Sequence, residues 1–92
     1  MPAKILVCPV AFNEKIKLRN VIERFLNSRI ANKLDYLIVD DGSDDGTSEM
    51  IAEYKAKGVG TIKHQQRSGV GAAIRTAIEY ARAKGYEIIV IM

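Results

Sequence analysis

Four short apolar runs punctuate the chain, and between them the apolar residues fall at helical spacing. The runs are Lys4 to Val10 (KILVCPV), Tyr36 to Asp40 (YLIVD), Gly60 to His64 and Glu87 to Met92 (EIIVIM). Their length, and the Pro, Gly and Asp residues that bound them, predict buried strands. Leu18, Val21, Ile22, Phe25 and Leu26 recur on one face of a helix from about Glu14 to Ser28. Thr47 to Lys57 predicts a second helix with Met50, Ile51 and Tyr54 inward, opened by Asp44 or Asp45 as N-cap and closed by Gly58. A stripe of Ala73, Ile74, Ala77, Ile78 and Ala81 predicts a third helix, which Gly85 ends.

Strand and helix therefore alternate, four strands to three helices, without repeats, low-complexity tracts or linkers. That order calls for an α/β fold: a parallel sheet with right-handed crossovers and helices on both faces. Strands that are apolar throughout agree, because a parallel sheet is covered on both sides. In such sheets ligands sit beyond the carboxyl ends of the strands. The polar and glycine-rich segments gather at those ends: Phe12-Asn13-Glu14, Asp40 to Asp45, and Arg67 to Gly71. Three loops converging on one sheet edge are the first sign of a binding site.

With 92 residues the chain has room for one small domain. A hydrophobic content of 48% and a charged content of 27% argue against disorder. The net charge of +3 is spread over helical segments and mixed with Glu, so it marks no nucleic-acid surface. The single cysteine, Cys8, forms no internal disulfide and lies in an apolar run, as a buried thiol of a reducing compartment does. No stretch approaches the roughly 20 apolar residues of a membrane span, and no signal-peptide pattern opens the chain. The expected location is cytoplasmic, extending to the cytoplasmic face of a membrane for a longer parent protein.

The loop from Asp40 to Thr47 (DDGSDDGT) packs four carboxylates into eight positions, a density that water, a cation or hydrogen-bond donors must relieve. Asp44 and Asp45 read as turn and cap residues. Asp40 and Asp41 stand at the end of a buried strand, where a carboxylate can accept from a nucleobase ring N–H or a ribose hydroxyl. A calcium loop is excluded, because the twelfth position counted from Asp41 is Ala52 rather than Glu.

The Arg67-Ser68-Gly69-Val70-Gly71 loop leads into a helix, so its backbone N–H groups can meet a phosphate, although tight strand-to-helix packing explains the glycines equally well. It is no dinucleotide fingerprint, since Ile74 stands where the third glycine belongs. Arg67 is a cation suited to a phosphate or to stacking on a base. Asn13 and Glu14 fit either a helix cap or a ligand contact. His64 and Cys8 lack a partner at metal-ligand or triad spacing and are expected to play no chemical role.

Three blocks together resemble one family. Pro9-Val10-Ala11-Phe12-Asn13-Glu14, Val39-Asp40-Asp41-Gly42-Ser43-Asp44-Asp45-Gly46-Thr47 and Arg67-Ser68-Gly69-Val70-Gly71-Ala72-Ala73-Ile74-Arg75 are similar, in order and spacing, to those of family-2 glycosyltransferases of GT-A type, in particular the dolichyl-phosphate mannose synthase-like branch. The resemblance spans essentially the whole chain. It implies the Rossmann-like βαβαβαβ half of a GT-A domain, with a parallel four-stranded sheet in the order 3-2-1-4. By the same resemblance, Pro9, Phe12, Glu14, Val39, Asp40, Asp41, Arg67 and Gly69 are the nucleotide-binding residues. Asp41 would bind the base beside Asp40 and Phe12, and Val39 would line the pocket. The sequence departs from the family pattern at Phe12, where Tyr is usual, at Gln66 and Ser68, and by an extra residue between Pro9 and the aromatic position.

The resemblance further implies a UDP- or GDP-linked sugar as partner and an inverting transfer of the sugar to an acceptor, a polyprenyl phosphate among the candidates. The family's Asp-x-Asp-like motif would follow the fourth strand and bind Mg2+ or Mn2+. No such motif stands within these residues, so the chain is expected to hold neither metal ligands nor catalytic residues and not to turn over by itself. It reads as the part that recognises the nucleotide, the alternative being a non-catalytic nucleotide-binding or self-associating module. A chain ending at this strand is also expected to leave the Glu87 to Met92 edge unpaired and to self-associate through it.

Overall fold

The computed structural model describes residues 4–92. The first predicted strand folds as two segments, β1 (Ile5–Cys8) and β2 (Val10–Ala11), separated by Pro9. Helix α1 (Lys15–Leu26) follows, then β3 (Asp35–Asp40), α2 (Thr47–Ala52), β4 (Val59–Lys63), α3 (Val70–Ala83) and β5 (Ile88–Ile91). Proline has no N–H to donate, which interrupts a central strand on one side only. Towards β3 the Pro9 carbonyl still accepts the Val39 N–H at 3.0 Å. Towards β5 the ladder runs on, with Met92 N–H to the Cys8 carbonyl at 3.2 Å and Val10 N–H to the Met92 carbonyl at 3.1 Å.

β1 and β2 both pair with β3, at Leu6↔Asp35 and Val7↔Tyr36 and again at Val10↔Val39 and Ala11↔Asp40. They therefore form one broken central strand. β4 lies on the far side of β3 and β5 beside β1, all parallel. Counted with the broken strand as one, this is the expected order 3-2-1-4, although the sheet has five strands rather than four.

Successive strand residues face opposite layers. Val7, Tyr36 and Ile38 pack with Leu18 and Ile22 of α1 and Met50 and Ile51 of α2. Leu6, Cys8, Leu37 and Val39 pack with Ala73, Ala77 and Ala81 of α3. Ile22 and Ile38 are wholly buried, and each contributes about 1.5–3 kcal/mol by leaving water. The buried stripe of α3 is alanine at every fourth position, which lets the helix lie close to the sheet. Ile74 and Ile78, expected in that stripe, flank it, and Ile78 is partly exposed. Burial pushes the Cys8 thiol up to about 11, against a smaller lowering by the Val39 backbone, so it stays protonated and inert.

Three expectations are corrected. Helix α2 ends at Ala52, and the chain tightens into a 3-10 turn at Lys55–Lys57 before Gly58 turns left-handed at φ 86°. The N-cap of α2 is Gly46 at φ 94°; Asp45 serves from one position earlier, its Oδ1 accepting the Thr47 N–H at 3.0 Å. β4 starts one residue sooner than predicted because Val59 is buried in the core.

Candidate functional site

The second loop starts where β3 ends. Asp40 is fully buried; its Oδ1 accepts the Ser43 N–H at 3.0 Å and its Oδ2 the Ser48 hydroxyl. Asp40 thus folds the loop back on itself. Gly42 then turns at φ 76°, where an added Cβ would fall 2.6 Å from the Arg67 nitrogen and from the Gln66 carbonyl carbon. The second and third loops meet there backbone to backbone, and only glycine fits.

Asp41 points to the third loop. Its Oδ1 accepts the Ser68 N–H at 2.9 Å and lies 2.8 Å from His64 Nδ1, and its Oδ2 accepts the Gly69 N–H at 2.9 Å. Burial pushes this carboxyl up, but the Ser68 N–H, His64 and the Gly69 N–H together outweigh it and hold it below the ordinary carboxylate range. Two of the backbone donors the sequence offers to a phosphate are thereby committed to the protein's own anion. Gly69 is the N-cap of α3, so Asp41 lies where the helix favours negative charge.

Asn13 joins the first loop to the second. Its Nδ2 donates to Asp44 Oδ1, the Asp44 N–H returns to Asn13 Oδ1, and its own N–H donates to Ser43 Oγ, all at 2.9 Å. These bonds hold Asn13 at φ 50°, a left-handed conformation that Asn tolerates better than most residues. Glu14 begins α1 through its carbonyl, which accepts the Leu18 N–H at 2.7 Å; its side chain makes no cap bond.

Between these loops opens a cleft of about 170 Å³, lined by Phe12, Glu14, Asp41, Arg67 and Val70 with Val10, Ala11 and Ala73. The Arg67 guanidinium stands over the Phe12 ring, 4.2 Å from its centre. Of the residues singled out from sequence, Phe12, Glu14, Asp41 and Arg67 meet at this cleft, and Gly69 holds Asp41 from behind. Pro9 lines a neighbouring recess of about 320 Å³ with Glu14, Lys17 and Met92. Val39 and Asp40 do not line the cleft. Val39 is wholly buried against α3, and Asp40 is enclosed within its own loop.

Of two further residues at the site, Val70 was not singled out in the sequence and His64 was expected to play no chemical role. Val70 opens α3 at the cleft with 68% of its surface exposed. His64 has a partner on each ring nitrogen, Asp41 and Thr76, contrary to the expectation that it stands alone. The available signal was position: His64 follows β4 at the same carboxyl edge as the other loops.

Residues 7–92 match the sequence pattern of Glycosyl transferase family 2. The chain belongs to that family. A dolichyl-phosphate beta-glucosyltransferase of Dictyostelium discoideum is 31% identical over 80% of this chain and 26% of its own length. A UDP-N-acetylglucosamine–dolichyl-phosphate N-acetylglucosaminyltransferase of Methanococcus voltae is 32% identical over 92% of this chain and 38% of its own length. The chain therefore spans well under half of each relative. Among solved structures, a mannosyltransferase from Pyrobaculum calidifontis in complex with GDP-Man and Mn2+ superposes with a TM-score of 0.75 at 20% identity, over 88% of this chain and 25% of that one. That likeness establishes the GT-A-type fold of the family member described here.

The described residues form no site for a divalent cation built from protein ligands alone: no three His, Cys, Asp or Glu side chains converge. The aspartates of the second loop are dispersed onto separate partners: Asp40 to Ser43 and Ser48, Asp44 to Asn13, and Asp45 to Thr47.

Proposed function

We propose that the cleft receives the nucleoside of a UDP- or GDP-linked sugar, and that the chain is the nucleotide-binding part of a glycosyltransferase moving that sugar to an acceptor such as a polyprenyl phosphate. The observation that carries this reading is the placement of Asp41, an anion held by backbone N–H groups, in one cleft with the Arg67–Phe12 pair. An ionised carboxylate only accepts hydrogen bonds, at about four lone-pair positions. Three are filled, which leaves one on Oδ2 for a ligand donor. Uracil and guanine carry a ring N–H that suits it, whereas cytosine and adenine carry none. Phe12 and Arg67 supply a flat apolar face and a cation for the base or the diphosphate.

Names of the two relatives specify dolichyl-phosphate, which supports a lipid-linked acceptor and a reaction at a membrane surface. No helix among the described residues is long and apolar enough to cross one. A Mg2+ or Mn2+ ion would stabilise the leaving diphosphate in such a transfer. The side chains described form no ligand set for it, so nucleotide binding by this chain is expected to be independent of metal.

Calorimetry with UDP, GDP, CDP and ADP, with and without Mn2+, tests the reading. The expected result is weak metal-independent binding of UDP or GDP that Asp41→Ala abolishes. Absence of binding at millimolar nucleotide, or equal binding of all four, rejects it.

We also propose self-association through β5. Among the described strands β5 pairs only with β1, and Ile88 and Val90 are 46% and 44% exposed. An unpaired apolar edge is a template for a second copy. Sedimentation that shows monomer alone at high concentration would exclude it.

A further inference from the structure

His64 links two elements that meet at the cleft. Nδ1 lies 2.8 Å from Asp41 Oδ1 and Nε2 lies 2.8 Å from Thr76 Oγ1, on α3. The ring is largely buried between them, with 17% of its side chain exposed. Its hydrogens follow from its neighbours. Asp41 is held as an acceptor by the Ser68 and Gly69 N–H groups, so a contact of this length requires a hydrogen on Nδ1.

The other side of the ring is adaptable. Thr76 has one hydroxyl hydrogen, and the Ala72 carbonyl lies 3.1 Å from its oxygen. When the ring carries a hydrogen on Nδ1 alone, Thr76 donates to Nε2. When both nitrogens are protonated, Nε2–H donates to Thr76, which passes its hydrogen to Ala72. In either state Nδ1–H remains on Asp41, and the brace to α3 is kept.

We propose that His64 is a positioning residue for nucleotide recognition: braced by Thr76, it turns the Asp41 carboxylate so that the unfilled lone pair of Oδ2 meets the ligand. This rests on the cleft being a nucleoside site. Ser68 and Gly69 hold the carboxylate through backbone N–H groups at the entry to α3, whereas His64 ties it to the end of β4 and, through Thr76, to the body of that helix. Losing the ring leaves Asp41 in the cleft on the Ser68 and Gly69 N–H groups alone, one on each oxygen, without the third bond that sets its tilt from the β4 side.

Two measurements test the assignment. His64 is the only histidine of the chain, so a long-range 1H–15N correlation spectrum reports its tautomer directly. A hydrogen on Nδ1 is expected; a ring protonated on Nε2 alone overturns the proposal. Calorimetry then compares two amides. His64→Asn places its nitrogen near the position of Nδ1 and keeps the donor to Asp41. His64→Gln reaches towards Thr76 and loses that donor. His64→Asn is expected to hold UDP or GDP affinity within about threefold, and His64→Gln to weaken it about tenfold, at similar melting temperatures. Nucleotide binding that His64→Gln leaves unchanged, or that both variants reduce alike, defeats the role of His64 alone. No binding by the unaltered chain defeats the nucleoside reading, and this role with it.

Discussion

The Arg67 guanidinium lies 4.2 Å from the centre of the Phe12 ring, a spacing that leaves no room for a base between them. A ligand base must therefore take the place of one partner or use the open side of the pair. A cation over an aromatic ring at an exposed site contributes about 0.5–1 kcal/mol to folding, so the pair is easily opened. Arg67→Ala is expected to leave stability within about 1 kcal/mol while weakening nucleotide binding about tenfold, read by calorimetry beside chemical denaturation. Arg67→Lys should recover only part of the affinity, because a point charge cannot stack as a planar guanidinium does.

Gly42→Ala should be among the most damaging single-methyl changes in this chain. The new Cβ meets backbone atoms at 2.6 Å and sits at φ 76°. Gly46→Ala is the control: its φ of 94° is also left-handed, but the nearest atom is the flexible Lys15 side chain at 3.2 Å. Urea denaturation is expected to show a loss of about 1–2 kcal/mol for Gly46→Ala from backbone strain, and a distinctly larger one for Gly42→Ala.

Asp41 should impose an acid limb on stability. Its folded pKa lies below the ordinary carboxylate value because His64 and the Ser68 and Gly69 N–H groups outweigh the effect of burial. A depressed folded pKa means that the contribution is complete above the unfolded value of about 3.9 and is lost as pH falls through the folded one. Asp41→Asn should therefore be less stable than the unaltered chain at pH 7, and the gap should narrow below about pH 4. Melting temperatures measured across that range check both parts.

Tyr36→Phe is expected to cost nothing. The Tyr36 hydroxyl is buried and, among the described residues, has no hydrogen-bond partner. Burial pushes its pKa up to about 12, assisted by Cys8, so the hydroxyl stays neutral. Its ring stacks on Phe25 at 4.0 Å, and Phe keeps that contact. Removing an unsatisfied hydroxyl should raise stability by about 1 kcal/mol in denaturant titration. A clear loss would mean that the hydroxyl has a partner in solution.

Much of the fold was legible along the chain because its signals are local. Continuous apolar runs such as YLIVD mark strands covered on both faces, and the alanine stripe of α3 marks a helix that lies on a sheet. Those periodicities, with the alternation of elements, determined a parallel α/β fold and put three polar loops on one edge. The break at Pro9 was less plain. A missing donor interrupts only the side of the strand that needs it, and which side that is depends on the neighbour.

The site was legible as a place but not as a set of contacts. Asp40 and Asp41 are adjacent and alike in sequence, yet they point to opposite surroundings, because consecutive residues at a strand end alternate in direction. One ties its own loop and the other reaches the third loop. His64 acquires its role from residues 23 and 12 positions away, a distance that no local pattern carries. Sequence by itself determined the family, the layering and the edge where chemistry gathers, since these depend on spacing and side-chain type. Only the tertiary structure decided which carboxylate faces the cleft, what fills its lone pairs and which residues flank the histidine ring, because those depend on groups that meet in space.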